Sequence, residues 1–443
     1  MLFGAGKSAT ILISYLIEEG KSNDWFLTVC DVNINMVSDK LGNSSNTKAV
    51  NIDVHADIDR EMLISTADVV ISLLPASLHF LVAKDCLKMS KHLLTASYVD
   101  PNIKSLEEGV GDKGILFLCE MGLDPGIDHL SAMNLLNGIR KDSNAIIKSF
   151  TSHCGGLISP ESDNNPWHYK ISWNAHNLVV AGADGAEYFS KGNITKVPYS
   201  SVFRNALQVT VDGLQPLAWY PNRNSLNYID LYGLSKIETF IRTTLRHPAY
   251  CRGWSKLINI GFTQTGDLDK IKDCKTYGDW FKVKTARYTA IEKDWNNYLH
   301  LYITDPHKDE FARQIAFLQL ESKDPLPPNF TCSADILQSI LENKFKLEES
   351  DHDMVVMQHE VVYTIENHNY LKTSTLITKG EDNTKTAMAK TVGLPLGIAT
   401  KLLLQNKLAV RGLIIPTHPE IIDKVLPELA TYGIAFEDVV NEI

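Results

Sequence analysis

Met1-Leu2-Phe3-Gly4-Ala5-Gly6-Lys7-Ser8-Ala9 is the stretch whose reading decides the fold. A minimal apolar run leads into G-x-G-x-x-A, and from Ala9 to Glu19 apolar residues recur at helical spacing, with Gly20 placed as a C-terminal cap. In a strand-turn-helix of this kind the first glycine permits the tight turn. The second lets the backbone approach a pyrophosphate, and a small third residue allows close helix packing. The helix start then offers unpaired N–H groups to an anion, which makes Gly4, Ala5, Gly6, Lys7 and Ser8 candidate dinucleotide contacts. Glycine turns between strand and helix are common, so context carries the reading. Asp31 ends the second expected strand 22 residues after Ala9, near the offset at which an acidic side chain meets a ribose 2′-hydroxyl. A 2′-phosphate beside that carboxylate is repelled, and Val32, Asn33 and Ile34 bring no arginine, so NAD is favoured and NADP is possible if Lys40 folds nearby. Only Met1, Leu2 and Phe3 serve the first strand, which is either short or preceded by further residues.

The rest of the first 121 residues alternates β-branched runs with amphipathic stretches, the signature of a parallel sheet with crossover helices. Strands are expected at Trp25–Cys30, Ala49–Ile52, Asp68–Leu74, His92–Ser97 and Ile115–Cys119, and helices at Asn35–Leu41, Asp57–Ser65, Leu78–Met89 and Ile103–Glu108. From about Ser149 the pattern becomes strands broken by polar turns, at Ser149–His153, Tyr169–Trp173 and Ala206–Val211. Helical spacing dominates from Ser235 to Glu348, with Ile237–Leu245, Asp309–Leu320 and Ala334–Lys344 the clearest helices. Strands resume at Met354–Thr364 and Tyr370–Thr378, and a helix is expected at Ala387–Leu404. The fold class is therefore α/β, a doubly wound parallel sheet with an α+β substrate domain and a helical insertion. The expected boundaries are 1–125, rejoined by about 387–443, for the dinucleotide domain; 126–234 and 349–386 for the α+β domain; and 235–348 for the insertion.

Composition narrows the function classes. A length of 443 residues suits two or three domains, and 44% hydrophobic with 22% charged residues is ordinary for a globular protein. The net charge of −10 argues against a nonspecific grip on nucleic acid or on an acidic membrane, so an anionic ligand needs a local arginine or lysine. Seven cysteines without a C-x-x-C pair read as reduced thiols, neither a disulfide framework nor a zinc module. No leader pattern opens the chain and no eighteen apolar residues run together, so a cytoplasmic location without membrane association is expected.

In a doubly wound sheet the later strand ends point at the ligand crevice. They fall here at Leu74-Pro75, Ser97-Tyr98 and Met121-Gly122-Leu123-Asp124-Pro125-Gly126. A Ser-Tyr pair can hydrogen-bond an amino-acid substrate, and an Asp ahead of Pro-Gly is either a turn former or a functional carboxylate. His129 and His153 read as structural or surface histidines, and no ligand set has metal spacing. Arg223, in Tyr220-Pro221-Asn222-Arg223, and Arg246, closing Thr243-Thr244-Leu245-Arg246, are the cations to weigh, because a guanidinium grips a carboxylate with two parallel hydrogen bonds.

Eight strings resemble the saccharopine dehydrogenases that form glutamate, also called saccharopine reductases. They are Val69-Val70-Ile71-Ser72-Leu73-Leu74-Pro75, Thr95-Ala96-Ser97-Tyr98, Gly122 to His129, Cys154-Gly155-Gly156-Leu157, Tyr220 to Arg223, Thr244-Leu245-Arg246, Asp353 to His359 and Ala389 to Pro395, in the family's order. The resemblance implies a Rossmann-type domain, an α+β domain and a helical domain. It also implies the reaction in which saccharopine, NAD(P)+ and water give glutamate and 2-aminoadipate 6-semialdehyde, or the reverse. Carried onto matching positions, the substrate contacts are Ser97, Tyr98, Asp124, Arg223, Thr244, Leu245 and Arg246. Leu123, Asp124, Pro125 and Trp173 fall near the nicotinamide, and Asp53, Leu74 and Ala96 complete the cofactor set. Asp124, Tyr98 and Cys154 are the candidates for proton transfer. A homodimer is expected. Asn224, His153, Thr243 and His247 depart from the family's usual residues. A carboxynorspermidine-type dehydrogenase is the rival enzyme, and a non-catalytic dinucleotide sensor the rival of another class.

Overall fold

The computed structural model describes residues 1–204, 206–289 and 306–443, and the chain packs as two compact units. The first comprises Met1–Lys148, Asp230–Leu234 and Met354–Ile443, and the second Ser149–Ile229 with Ser235–Asp353.

The first unit is built on β1 (Leu2–Phe3), β2 (Leu27–Asp31), β3 (Thr47–Asn51), β4 (Val69–Ser72), β5 (His92–Thr95) and β6 (Leu116–Leu118). A returning strand, Gly412–Ile414, joins them in a seven-stranded sheet of order Gly412–Ile414, β6, β5, β4, β1, β2, β3, and every pair is parallel. Buried β4 reads Val-Val-Ile-Ser without alternation because helices cover both faces of a parallel sheet. The strand order reverses between β1 and β4, the switch point at which such sheets bind ligands. β1 lies between β2 and β4 and pairs with both.

The helix after the glycine turn runs from Thr10 to Asn23, past the expected stop at Gly20. Asp24, with φ 56°, is the left-handed cap instead. Gly20 is used for packing: a β-carbon there would lie 2.6 Å from Asn46 Nδ2 and 3.0 Å from the Trp25 carbonyl oxygen. The expected helix at Asp57–Ser65 forms with those bounds. The one expected at Ile103–Glu108 is two short pieces, Pro101–Lys104 and Glu107–Asp112. Outside the parallel sheet, Asp353–Ile365 and His368–Lys379 form a long antiparallel hairpin, to which Glu437–Glu442 adds.

Helix Ala387–Leu404 is, among the described residues, the one helix long and apolar enough to cross a membrane, yet most of it is buried. It packs on helix Thr10–Asn23 through small residues. A β-carbon at Gly393 would sit 2.8 Å from the Leu12 backbone nitrogen, and one at Gly397 would sit 2.5 Å from the Tyr15 ring.

In the second unit, β7 (Ala145–Ile158) pairs in parallel with β12 (Thr239–Arg246), from Thr239↔Ser149 to Thr244↔Cys154. On the other side of β12 lie antiparallel β11 (Leu217–Pro221) and then β10 (Leu207–Val209). β8 (Ala186–Ser190) pairs with β9 (Asn193–Val197) and touches β12 at Phe189. The helix expected over Ile237–Leu245 is thus a strand. Thr239-Phe-Ile-Arg-Thr-Thr-Leu-Arg246 is rich in β-branched residues, and it is almost wholly buried as an interior strand should be. The segment Tyr169–Trp173 is not a regular strand and forms a single bridge, Ile171↔Lys346.

Helices Pro248–Ile260, Tyr277–Thr289, Lys308–Leu318 and Ser333–Lys344 share one core with Trp167, Tyr169, Ala218 and Tyr220. The expected α+β and helical parts therefore pack together, because the apolar faces of these helices have the sheet-side aromatics to cover. This division differs from the expected three parts in a second way: 126–148, 230–234 and 354–386 belong with the first unit. Residues 290–305 of the expected helical stretch lie outside the described residues.

Gly393→Val is expected to destabilise the protein by about 1–3 kcal/mol through overpacking against Leu12, read as a lower urea midpoint. Gly138→Ala, where a β-carbon meets nothing within 4 Å, is the control and should leave that midpoint at or above the wild-type value.

Candidate active site

On the first unit the candidates collect at the carboxyl ends of β1, β2, β4, β5 and β6. Gly4, at φ +95°, lets its backbone press on β4; a β-carbon there would lie 2.7 Å from the Leu73 carbonyl oxygen. Its N–H donates to the Cys30 carbonyl at 2.9 Å. The Ala5 N–H donates to Asp31 Oδ2 at 2.8 Å, and Asp31 Oδ1 accepts from the Asn33 N–H at 2.9 Å. Beside Gly6 a β-carbon would meet nothing within 4 Å, and no side chain caps the helix turn that starts at Lys7. This open, uncapped turn fits a dinucleotide pyrophosphate. Lys40 lies on the same turn, donating to the Gly6 carbonyl at 2.6 Å and to Thr10 Oγ1 at 2.9 Å. Burial pulls its ammonium down to about 8, against the pull of Asp31. Asp53 is exposed, and its carboxylate accepts from the His55 N–H.

Ser97 and Tyr98 follow β5, and both are partly exposed. The Tyr98 hydroxyl donates to Asp124 Oδ1 at 3.2 Å. What sets Asp124 there is the close packing of Gly122 on Ala96, where a β-carbon would be 2.9 Å from Ala96 Cβ, together with the tight Gly122–Gly126 loop. The Asp124–Pro125 peptide is cis.

On the second unit Arg246 ends β12 with only 4% of its surface exposed. Its Nη1 donates to the Leu245 carbonyl at 2.7 Å, while Nε has no hydrogen-bond partner among the described residues. The guanidinium carbon is 5.0 Å from the Tyr169 ring centroid and 5.7 Å from that of Tyr250. The Tyr250 hydroxyl is likewise buried without a partner. Burial pushes the Tyr220 phenol up to about 12 and that of Tyr250 well above its ordinary range, so both remain hydroxyl donors. Trp173 Nε1 donates to the Tyr169 hydroxyl at 3.0 Å, which ties Trp173 to this aromatic cage. Register places Cys154 opposite Thr244, and a β-carbon at Gly155 would lie 2.7 Å from Leu245 Cβ. Arg223 is exposed at φ 50°, in the turn after β11. Among the described residues no group of three or more His, Cys, Asp or Glu could hold a metal ion.

Two family models cover this chain: the saccharopine dehydrogenase NADP binding domain over residues 1–118, and the saccharopine dehydrogenase C-terminal domain over 122–434. The chain belongs to the saccharopine dehydrogenase family. A Schizosaccharomyces pombe saccharopine dehydrogenase (NADP+, L-glutamate-forming) is 30% identical over 99% of this chain and 98% of its own. The solved apo saccharopine dehydrogenase (L-Glu forming) of Saccharomyces cerevisiae is similar with a TM-score of 0.88 at 29% identity, covering 99% of both chains. The α-aminoadipic semialdehyde synthase of Arabidopsis thaliana is 36% identical over 88% of this chain, which matches only 38% of that longer protein.

Tyr169, Tyr250, Glu120 and His79 of this saccharopine dehydrogenase family member carry no mark in the sequence, whereas His129 and His153 are structural, one of the two roles expected. Tyr169 and Tyr250 line Arg246, but aromatics far apart in sequence look like core. His129 is a buried link: Nε2 meets Glu120 Oε2 at 2.9 Å and Nδ1 meets the Tyr232 hydroxyl at 2.7 Å. Glu120 Oε1 accepts from the Val99 N–H, steadying the loop after β5. His153 Nδ1 lies 2.6 Å from Thr243 Oγ1, so both histidines are interior parts of the fold. The imidazole of His79 reaches Ser97, and nothing in its surroundings in the sequence marks it.

Arg246→Met should raise the urea midpoint, by about 1–3 kcal/mol of stability, because an unsatisfied buried cationic donor is removed; a lower midpoint would contradict that picture. A second expectation concerns acid. Burial, and then the His168 ring stacked at 3.7 Å, pull the His247 imidazole down to about 4. Above pH 6.5 both folded and unfolded chains hold it neutral. Between about 6.5 and 4 only the unfolded chain binds the proton, so stability falls as pH falls through that window. Thermal midpoints measured at intervals from pH 7 to 4 should drop less steeply in His247→Gln than in the wild type.

Proposed function

We propose that this chain is an NAD(P)-dependent, glutamate-forming saccharopine dehydrogenase of lysine metabolism. In that reaction saccharopine, the cofactor and water give L-glutamate and 2-aminoadipate 6-semialdehyde, or the reverse condensation takes place. One observation carries the substrate side: a buried guanidinium, Arg246, has no carboxylate of its own among the described residues, and both its Nε and the Tyr250 hydroxyl are unsatisfied there. Burying such a group is costly unless a ligand completes it, and a substrate carboxylate does so. Saccharopine has three carboxylates. Arg246 and Arg223 each take one in this reading, with Ser97, Tyr98, Asp124, Thr244 and Leu245 as the other substrate contacts. A polyamine substrate with fewer carboxylates is poorly served by two arginines, which disfavours the carboxynorspermidine-type alternative.

The residues divide the chemistry as follows. The glycine turn at Gly4 to Ser8 receives the pyrophosphate, with Leu74, Ala96, Leu123 to Pro125 and Trp173 toward the nicotinamide. When bound, that group accepts hydride from the carbon beside the bridging nitrogen. Asp124, hydrogen-bonded by the Tyr98 hydroxyl, handles the proton at nitrogen, and Cys154 is the remaining candidate for proton transfer to or from oxygen. Water adds to the carbon–nitrogen double bond, and the carbinolamine collapses to aldehyde and amine.

Cofactor choice rests on two opposed charges. Asp31 disfavours a 2′-phosphate, while Lys40 on the Gly6 carbonyl is the cation that could receive one. NAD is favoured by the first, and NADP is accommodated by the second. The buried thiols fit a reducing compartment, and the cytoplasm is the location in this reading. A homodimer is the assembly it carries, which sedimentation of the full chain would check.

NADH formation on mixing the protein with saccharopine and NAD+ tests the activity; turnover of a carboxylated polyamine in its place, or cofactor binding without any turnover, would defeat the proposal. Arg223→Ala should raise KM for saccharopine about ten- to a hundredfold, the loss of one charge-assisted pair, with KM for the cofactor nearly unchanged. Asp31→Ala should lower the ratio of kcat/KM for NAD+ over NADP+ and Lys40→Ala should raise it, both measured at saturating saccharopine.

A further inference from the structure

His79 opens helix His79–Lys88 and is 3% exposed. Its ring bridges two strand ends: Nδ1 lies 2.7 Å from Ser72 Oγ, at the end of β4, and Nε2 lies 2.6 Å from Ser97 Oγ, just past β5. Thr95 Oγ1, at 3.5 Å from Nδ1, is the other hydroxyl near the ring. Burial holds the imidazole down at about 4, with Asp100 opposing, and the position at a helix start adds to the cost of charging it. At neutral pH the ring is neutral, with one nitrogen donating and the other accepting. Among the described residues it has no ion-pair partner to make it a simple structural bridge. Its two good contacts are both hydroxyls, and only one of them, Ser97, reaches the surface.

We propose that His79 is a positioning residue for the reaction: its Nε2 fixes the Ser97 hydroxyl in place for the substrate, with Ser72 locking the ring from behind. This rests on the reading of Ser97 as a substrate contact. A serine at a loop tip has three rotamers to choose from. A 2.6 Å bond to a ring that cannot itself turn leaves one, and the second capacity of the hydroxyl is then presented to ligand without an ordering cost on binding. Because the ring stays uncharged, it does this without adding a cation next to substrate groups.

The test uses steady-state kinetics of the full chain with saccharopine varied at saturating NAD+, alongside thermal midpoints. Ser97→Ala and His79→Phe should each raise KM for saccharopine about tenfold with KM for NAD+ unchanged, and the double variant should be no worse than the single ones within a factor of about two. A glutamine amide reaches where Nε2 lies and an asparagine amide only where Nδ1 lies. His79→Gln should therefore stay within about threefold of wild type, while His79→Asn behaves like His79→Phe. A buried polar group kept only for stability would be served by either amide. A wild-type KM in Ser97→Ala overturns the substrate reading of Ser97, and the positioning role with it. An impaired Ser97→Ala together with effects that multiply in the double variant, or equal kinetics for His79→Gln and His79→Asn, overturns the positioning role alone.

Discussion

Everything in the first unit is referenced to one close approach, that of the Gly4 backbone to the Leu73 carbonyl, where a β-carbon would be 2.7 Å away. At this point β1, two residues long, hands the chain to the cofactor turn while lying between β2 and β4. Three contacts fix the turn: the packing on Leu73, the Gly4 N–H on Cys30, and the Ala5 N–H on Asp31. A side chain at residue 4 would separate the central strands and move Asp31 away from the turn it holds. The open flank at Gly6 follows from the same geometry, since a turn pinned on one side leaves its other side free for a ligand.

The second unit works by a different constraint, the placement of a cation where protein alone does not satisfy it. Arg246 is carried to the end of an interior strand beside the rings of Tyr169 and Tyr250, which tolerate a guanidinium, and burial pushes the phenols of Tyr220 and Tyr250 up. Aromatic faces return part of the desolvation cost, and in the proposed function a substrate carboxylate recovers the rest. In the proposed function, a local deficit of this kind lets a protein of net charge −10 select an acidic small molecule. On the first unit, polar groups near Tyr98 and Asp124 are instead well paired: Glu120 with His129 and Val99, and His129 with Tyr232. There the arrangement buys rigidity of the loop after β5.

Legibility followed the range of the forces involved. The strands and helices of the parallel sheet were readable because burial on both faces and helical periodicity leave local signatures; helices Asp57–Ser65 and Ala387–Leu404 have the bounds expected from the residues alone. The segment Thr239–Arg246 was misread because a strand buried on both faces has no alternation to betray it, so its apolar residues were fitted to a helix. Gly20 reads as a helix stop because a glycine needed for close packing looks the same in sequence as one needed for a turn.

By itself the sequence determined the glycine turn, the acidic residue after the second strand and the family, since each is a matter of local chemistry at fixed spacing. Tertiary structure alone decided that Asp31 is engaged by the Ala5 N–H, that Lys40 rests on Gly6, that Tyr98 reaches Asp124 and that His79 holds Ser97. It also decided that Arg246 lies buried without a counter-charge among the described residues. Those facts depend on which side chains distant in the chain are brought within about 3 Å, the range over which a hydrogen bond exists at all, and no local pattern encodes a distance of that kind.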